Sequence, residues 1–141
     1  MNRVEKAAEL HKCGYNCSQS VFAAFTDLYG LDNDTALRLS TSFGSGLGGT
    51  RNICGAVSGM AMVAGLESGT AKPNDKEGKK RNYDIVKSLL DEFEKEYGSI
   101  ICKELLGLVE TPTLLKKKPC AEYIRFCVQL IEEKLLQNKK G

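Results

Sequence analysis

The chain has 141 residues, a formal net charge of +2 at pH 7 and 42% hydrophobic residues. This length suits one domain with its own core, and the near-balanced charge excludes the extended basic surface of a nucleic-acid-binding protein. The apolar segment 53–66 is shorter than the ~20 residues that a membrane-spanning helix needs, so no membrane insertion is expected.

The N-terminal segment MNRVEKAAELHK is charged throughout and lacks the apolar core of a secretion signal, which predicts a cytoplasmic protein. The cytoplasm keeps thiols reduced. The six cysteines are therefore expected to bind metal or to take part in redox chemistry, rather than to form structural disulfides.

Apolar residues recur at helical spacing through the first half of the chain, and capping residues or glycines bound each segment. The predicted helices are residues 3–12, a second from the Asn16 cap to Gly30, a third from Asp32 or Asn33 up to Gly44, and a fourth from 50–53 to about Leu66.

The second half continues the pattern after a loop at 67–78 that contains Pro73. A long fifth helix has an apolar stripe formed by Tyr83, Val86, Leu90, Phe93 and Tyr97, and Gly98 ends it. Ser99 is the predicted cap of a short sixth helix at 100–106, and Pro119 is placed at the first position of the last helix. With no alternating strand pattern, the sequence predicts an all-α, single-domain bundle of about five to seven helices over 1–141.

The glycine cluster GSGLGG at 44–49 resembles a dinucleotide-binding fingerprint, but that fingerprint works between a strand and a helix. Here a predicted helix precedes it. The cluster is either a flexible connection or a nest whose backbone N–H groups converge on an anion, and the nearest candidate anion is the Cys54 thiolate. The second interpretation assigns Gly46, Gly48, Gly49 and, beside the cysteine, Gly55 to cofactor binding.

Four cysteines fall at predicted helix N-termini, where free N–H groups and the helix dipole stabilise a thiolate: Cys17, Cys54, Cys102 and Cys120. Free cysteines are also small buried hydrophobes, and this alternative is preferred for Cys127 on the apolar stripe of the last helix. Cys13 is either such a residue or a resolving thiol for Cys17.

These cysteines lie in four blocks: Tyr15-Asn16-Cys17-Ser18-Gln19-Ser20-Val21, Cys54-Gly55-Ala56-Val57-Ser58-Gly59, Cys102-Lys103-Glu104-Leu105-Leu106-Gly107, and Cys120 with Tyr123. Together the blocks resemble the C_GCAxxG_C_C family of redox-active proteins over nearly the whole chain. The resemblance implies that Cys17, Cys54, Cys102 and Cys120 are the signature cysteines. A related region occurs in split-Soret cytochromes, which links the resemblance to an iron–sulfur centre, although this chain has no Cys-x-x-Cys-His haem attachment motif.

The leading hypothesis is an electron-transfer protein that holds an iron–sulfur cluster on these four cysteines and exchanges electrons with a redox partner protein. The alternatives are a zinc ion on the same residues, thiol–disulfide chemistry between two of them, and a metal-free helical interaction module with cysteines in its core. The sequence predicts no catalytic residues and leaves open whether the protein forms a homodimer. His11 is expected to have a structural role. Arg51 and Asn52 are expected to cap the fourth helix or to offset the charge of a thiolate.

Overall fold

A computed structural model describes residues 1–111 and 118–136, and these residues form helices connected by turns, with one isolated β-bridge and no strand. The α-helices are α1 (Arg3–Lys12), α2 (Cys17–Ala23), α3 (Asn33–Thr41), α4 (Gly55–Ser68), α5 (Lys76–Tyr97), α6 (Cys102–Leu105) and α7 (Cys120–Lys134). The prediction of an all-α protein is confirmed. None of the described helices is both long and apolar enough to span a bilayer.

Local capping rules account for several helix starts. The Asn16 side chain accepts a hydrogen bond from the Gln19 N–H at 3.0 Å, and the Gln19 side chain accepts one from the Asn16 N–H at 2.9 Å. This reciprocal capping box satisfies two backbone donors that the helix leaves free. Asp32 caps α3 by accepting from the Thr35 N–H at 3.0 Å.

The centre of the fold is the close packing of α2 against α4. Gly59 of α4 faces α2, and a Cβ added there would lie 2.9 Å from the Ser18 carbonyl oxygen. Helix α7 packs against α1, α2 and α4, while α5 covers the other side of α4. The largest buried side chains come from α2, the turn that follows it, α4, α5 and α7: Phe22, Phe25, Met60, Phe93, Tyr97 and Tyr123.

Several predicted boundaries are wrong. The third helix ends at Thr41 rather than near Gly44, and α5 starts at Lys76, within the predicted loop 67–78. The second helix ends at Ala23 rather than near Gly30, and a short 3₁₀ helix at Thr26–Tyr29 replaces its end. Helix α4 starts at Gly55, later than the predicted 50–53, because Ile53 forms a β-bridge with Ile101. Helix α6 spans Cys102–Leu105 and is shorter than the predicted helix at 100–106.

Three single-residue assignments also change. Ser99 is not the cap of α6, whose N-cap is Ile101, and the Ser99 hydroxyl accepts from the Ile101 N–H at 2.9 Å. Tyr83 is 58% exposed rather than part of the buried stripe of α5, whose buried apolar residues are Leu89, Phe93 and Tyr97. Pro119 is the N-cap of α7 rather than its first helical residue, with φ −66° and an extended ψ of 154°.

The glycine cluster forms a left-handed turn between α3 and α4. All five residues at 45–49 have positive φ, including the non-glycine residues Ser45 (51°) and Leu47 (76°). The N–H groups of the turn donate to carbonyl oxygens of the same segment: Gly48 to Ser42 at 2.7 Å and Asn52 to Gly46 at 2.8 Å. The cluster is thus a hydrogen-bonded turn, and the flexible-connection interpretation does not describe it.

Candidate cysteine site

Four cysteines from four different helices line one cavity of about 200 Å³: Cys17, Cys54, Cys102 and Cys120. Cys17, Cys102 and Cys120 are the first residues of α2, α6 and α7, and Cys54 is the N-cap of α4. The predicted positions at helix N-termini are therefore confirmed, and the fold brings all four to the same place. Their role as metal ligands stays a prediction.

A backbone bridge holds two of these helix starts together. The Cys54 N–H donates to the Ile100 carbonyl at 2.8 Å, and the Cys102 N–H donates to the Asn52 carbonyl at 2.6 Å. These bonds flank the antiparallel bridge between Ile53 and Ile101. The segment before α4 and the segment before α6 are thereby fixed relative to each other.

Cys17 and Cys120 are in hydrogen-bond contact, with the Cys17 thiol donating to the Cys120 sulfur. This bond raises the pKa of Cys17, and burial and the neighbouring thiols raise it further. The same bond lowers the pKa of Cys120 to about 6, against the opposing effect of burial and with help from the positive charge of Arg51. The contact therefore favours a thiolate on Cys120 over a thiolate on Cys17.

Cys54 is the most buried of the four at 6% exposure. Burial raises its pKa to about 11, although the backbone N–H groups of Val57 and Ala56 at the start of α4 act in the opposite direction. The sequence predicts a lowered pKa at these helix starts. The pKa of Cys120 is lowered, but chiefly by the Cys17 hydrogen bond rather than by the helix end. The prediction is wrong for Cys17, where the Cys120 hydrogen bond and burial raise the pKa, and for Cys54, where burial outweighs the N–H groups of α4.

Arg51 and His11 join the cysteines in the cavity wall. The Arg51 Nη1 atom lies 3.8 Å from the Cys102 Sγ atom, which supports the predicted charge-offsetting role of Arg51. His11, for which the sequence predicts a structural role, lines both this cavity and an adjoining apolar groove between α1 and α7. No motif marks His11 for the site. Its position follows from the packing of α1 on α7. The remaining lining residues are Asn16, Ser45, Gly55, Leu105, Leu106 and Tyr123.

Of the glycines assigned to cofactor binding, Gly55 lines the cavity, whereas Gly46, Gly48 and Gly49 do not. A Cβ at Gly55 would lie 3.3 Å from the Cys17 Cβ, so this glycine gives the two cysteine-bearing helices room to approach. The N–H of Gly48 and that of Gly49 donate to the carbonyls of Ser42 and Gly44. A cofactor-binding role for the loop glycines stays a prediction that no contact supports.

The other two cysteines lie outside the cavity. Cys13 is exposed at the end of α1, with its Sγ 3.8 Å from a Glu9 carboxylate oxygen. Cys127 is fully buried in α7, and burial raises its pKa well above the ordinary value. All six cysteines are free, and within 1–111 and 118–136 no three His, Cys, Asp or Glu side chains are arranged to hold one metal ion.

The fold is all-α, and four thiols line one of its cavities. This is the arrangement of a protein whose site is made of cysteines. The chain matches the family described as Putative redox-active protein (C_GCAxxG_C_C) over residues 15–134, and it belongs to that family. The matched range includes all four cavity cysteines. Comparisons with curated proteins and with solved structures give no match.

Proposed function

We propose that Cys17, Cys54, Cys102 and Cys120 hold an iron–sulfur cluster and that the protein transfers electrons through it. The observation that carries this proposal is the convergence of four thiols, from four separate helix starts, on one cavity of about 200 Å³. Four cysteine thiolates are the usual ligand set of such clusters. A single zinc ion on the same residues would require all four sulfurs at ~2.3 Å from one centre. The described residues contain no group of even three side chains arranged in this way.

The surroundings of the four sulfurs suit an anionic cluster. The backbone N–H groups of Ala56 and Val57 at the start of α4 favour negative charge on the Cys54 sulfur, and the Arg51 guanidinium lies beside the Cys102 sulfur. Donors of this kind offset thiolate charge and tune a reduction potential. When bound, the cluster would supply one-electron transfer. The chain itself would bind it, shield it from water through Leu105 and Tyr123, and keep the cavity at its size.

The test is metal analysis of protein purified under strict anaerobiosis. We expect iron, acid-labile sulfide and charge-transfer absorbance, each lost on Cys17→Ser, Cys54→Ser, Cys102→Ser or Cys120→Ser. Cys13→Ser is the matched control, because Cys13 is exposed and lies outside the cavity, and it should retain the iron. Colourless, metal-free protein would contradict the proposal, and stoichiometric zinc without sulfide would replace it by a structural zinc site.

The contact between Cys17 and Cys120 favours a second candidate, a dithiol that cycles with a disulfide. The Cys120 thiolate would attack a disulfide of an oxidising partner and release one partner thiolate. Cys17 would then lose its proton and attack the mixed disulfide, releasing the second partner thiolate and closing a Cys17–Cys120 disulfide. The exchange moves two electrons to the partner and one proton to the solvent.

Mass spectrometry after equilibration in glutathione buffers separates this candidate from the first. A loss of two hydrogens, absent in Cys120→Ser and retained in Cys13→Ser, is the expected signature of the disulfide. Thiol counts that stay unchanged across physiological potentials would exclude it. For both candidates we propose a redox partner protein and a cytoplasmic location, where free thiols persist. Analytical ultracentrifugation tests whether it acts as a homodimer.

A further inference from the structure

Arg51 is an exposed cation whose guanidinium contacts the Cys102 sulfur in the wall of the cavity. Its Nη1 atom lies 3.8 Å from the Cys102 Sγ atom, and the residue itself lines the cavity. Arg51 forms no ion pair with any Asp or Glu among the described residues. Its charge is therefore directed toward the sulfurs and the solvent at the mouth of the cavity, rather than neutralised by a carboxylate.

The backbone holds Arg51 in this position at a conformational cost. Arg51 has φ 62°, and it follows the left-handed turn at 45–49. Its N–H donates to the Ser45 carbonyl and its carbonyl accepts from the Lys103 N–H, both at 3.0 Å. Strained backbone of this kind persists only where the surrounding structure enforces it, and it is concentrated at functional sites. Here it ties Arg51 to both the turn and α6.

Arg51 is the lining residue with a fixed positive charge, and no Asp or Glu is among the described lining residues. A fixed cation in the wall of a cleft raises the local concentration of small anions. We propose that Arg51 makes this cavity selective for small anionic reactants and directs them to the Cys102 sulfur.

The reactants selected in this way are small carboxylates, anionic thiols and sulfur oxoanions, with a size limited by the cavity of about 200 Å³. The inference goes beyond the proposed function, because it concerns which reactant reaches the sulfurs when they act as thiols, and which ions approach Arg51 at the mouth of the cavity when a cluster fills it. A neutral or cationic reactant of the same size gains nothing from Arg51.

Two alkylating reagents that differ in charge test the selectivity for anions on metal-free protein. Iodoacetate carries a negative charge, and iodoacetamide is its neutral analogue. Both react with the same thiolate, so the ratio of their rates at Cys102 is independent of the thiolate fraction. Peptide mass spectrometry gives that ratio residue by residue. We expect a higher iodoacetate-to-iodoacetamide ratio at Cys102 than at Cys13, which lies beside Glu9.

Arg51→Gln should lower the Cys102 ratio several-fold, Arg51→Lys should keep part of it, and Arg51→Glu should lower it furthest. Lys103→Gln is the matched control: it removes another exposed cation next to Cys102 and should leave most of the preference. An unchanged ratio in Arg51→Gln overturns the inference, as does a Cys102 that neither reagent modifies in metal-free protein.

If the purified protein contains a cluster, iron analysis of the same sample shows it, and a pair of one-electron oxidants replaces the alkylating pair. One electron passes from the reduced cluster to each oxidant. Arg51→Gln should slow oxidation by anionic hexacyanoferrate(III) relative to cationic hexaammineruthenium(III), and an equal ratio in both proteins would overturn the inference. The iron content tests the proposed function, whereas the rate ratios test Arg51.

Discussion

Burial and hydrogen bonding oppose each other at the thiols of Cys54 and Cys120, and a different effect dominates at each. Burial dominates at Cys54 and raises its pKa to about 11. At Cys120, the Cys17 hydrogen bond and the Arg51 charge dominate and lower its pKa to about 6. Both residues begin a helix, so position in the helix alone does not determine thiolate character.

Gly59 decides how closely α2 and α4 can pack. A Cβ there would lie 2.9 Å from the Ser18 carbonyl oxygen and 3.1 Å from the Val21 Cβ. Because the nearer atom belongs to the backbone, Gly59→Ala should force the two helices apart and destabilise the fold by about 1–3 kcal/mol. Urea unfolding followed by circular dichroism measures this change.

Gly65 provides the control on the same helix, since nothing lies within 4 Å of a Cβ built there. Gly65→Ala should stabilise the protein by about 0.5–1 kcal/mol, because alanine loses less backbone entropy in a helix. Equal effects of the two substitutions would show that α4 does not pack on α2 in the described way.

At the scale of elements, the left-handed turn requires Gly46 more than its neighbour Gly49. A Cβ at Gly46 would lie 2.4 Å from the Arg51 Cα, whereas nothing lies within 4 Å of a Cβ at Gly49. Gly49→Ala should cost about 1–2 kcal/mol for its left-handed backbone alone. Gly46→Ala should cost at least about 1 kcal/mol more through overlap. Urea unfolding compares the two variants, and equal costs would contradict the described turn.

The first turn of the 3₁₀ helix is tied to α1 by an ion pair between Arg3 and Asp27. The Arg3 hydrogen bond holds the pKa of Asp27 below its ordinary value, so the contribution to stability is present at neutral pH. It is lost as the pH falls through this lowered pKa. The Asp27 side chain is 52% exposed, so Asp27→Asn should cost less than about 1 kcal/mol at pH 7.

Urea unfolding at pH 7 and at pH 2–3 checks the sign: the difference between wild type and Asp27→Asn should shrink at the lower pH. Asp34→Asn is the control, because the Asp34–Arg38 contact is 4.0 Å long and both side chains are more than 80% exposed. A difference that grows on acidification would contradict the pairing.

Helix starts could be predicted from sequence because capping is local: Asn16 and Gln19 form their reciprocal bonds within four residues. The end of the second helix could not be predicted in this way. The chain leaves the α-helix after Ala23, where the Arg3 side chain of α1 donates a hydrogen bond to the Ala24 carbonyl, and a 3₁₀ helix follows. The orientation of the loop N–H groups also escaped prediction, since positive φ at 45–49 directs them to carbonyls of their own segment.

At the scale of the whole molecule, the site consists of parts that differ in rigidity. Cys17 and Cys54 lie on α2 and α4, which pack tightly through Gly55 and Gly59. Cys102 lies on α6, which has four residues, far fewer than the ~12 at which an isolated helix becomes even marginally stable. Local capping predicts the four helix starts, whereas only the family resemblance implied that the four cysteines share one site. The approach of Cys102 to Cys54 depends on the long-range bridge between Ile53 and Ile101, which no local pattern reveals.

This difference in rigidity predicts which segment a bound cofactor would stabilise most. Ligand binding stabilises the states that bind it, and the largest gain in protection falls on segments that otherwise open locally. Helix α6 is held by the bonds from Cys102 to Asn52 and from Lys103 to Arg51, and by the Tyr123 hydroxyl, which contacts the Leu105 carbonyl at 3.4 Å. We therefore expect residues 99–108 to gain the most protection when the cluster is bound.

Hydrogen exchange on cluster-loaded and metal-free protein measures this gain. Helix α4 should exchange slowly in both forms, because its amides are already protected by packing against α2, α5 and α7. Helix α3 contributes no residue to the cavity wall and serves as the internal reference, with unchanged exchange. A gain spread evenly over α3, α4 and α6 would mean that the cofactor stabilises the fold globally, because α6 would then open only when the whole bundle unfolds.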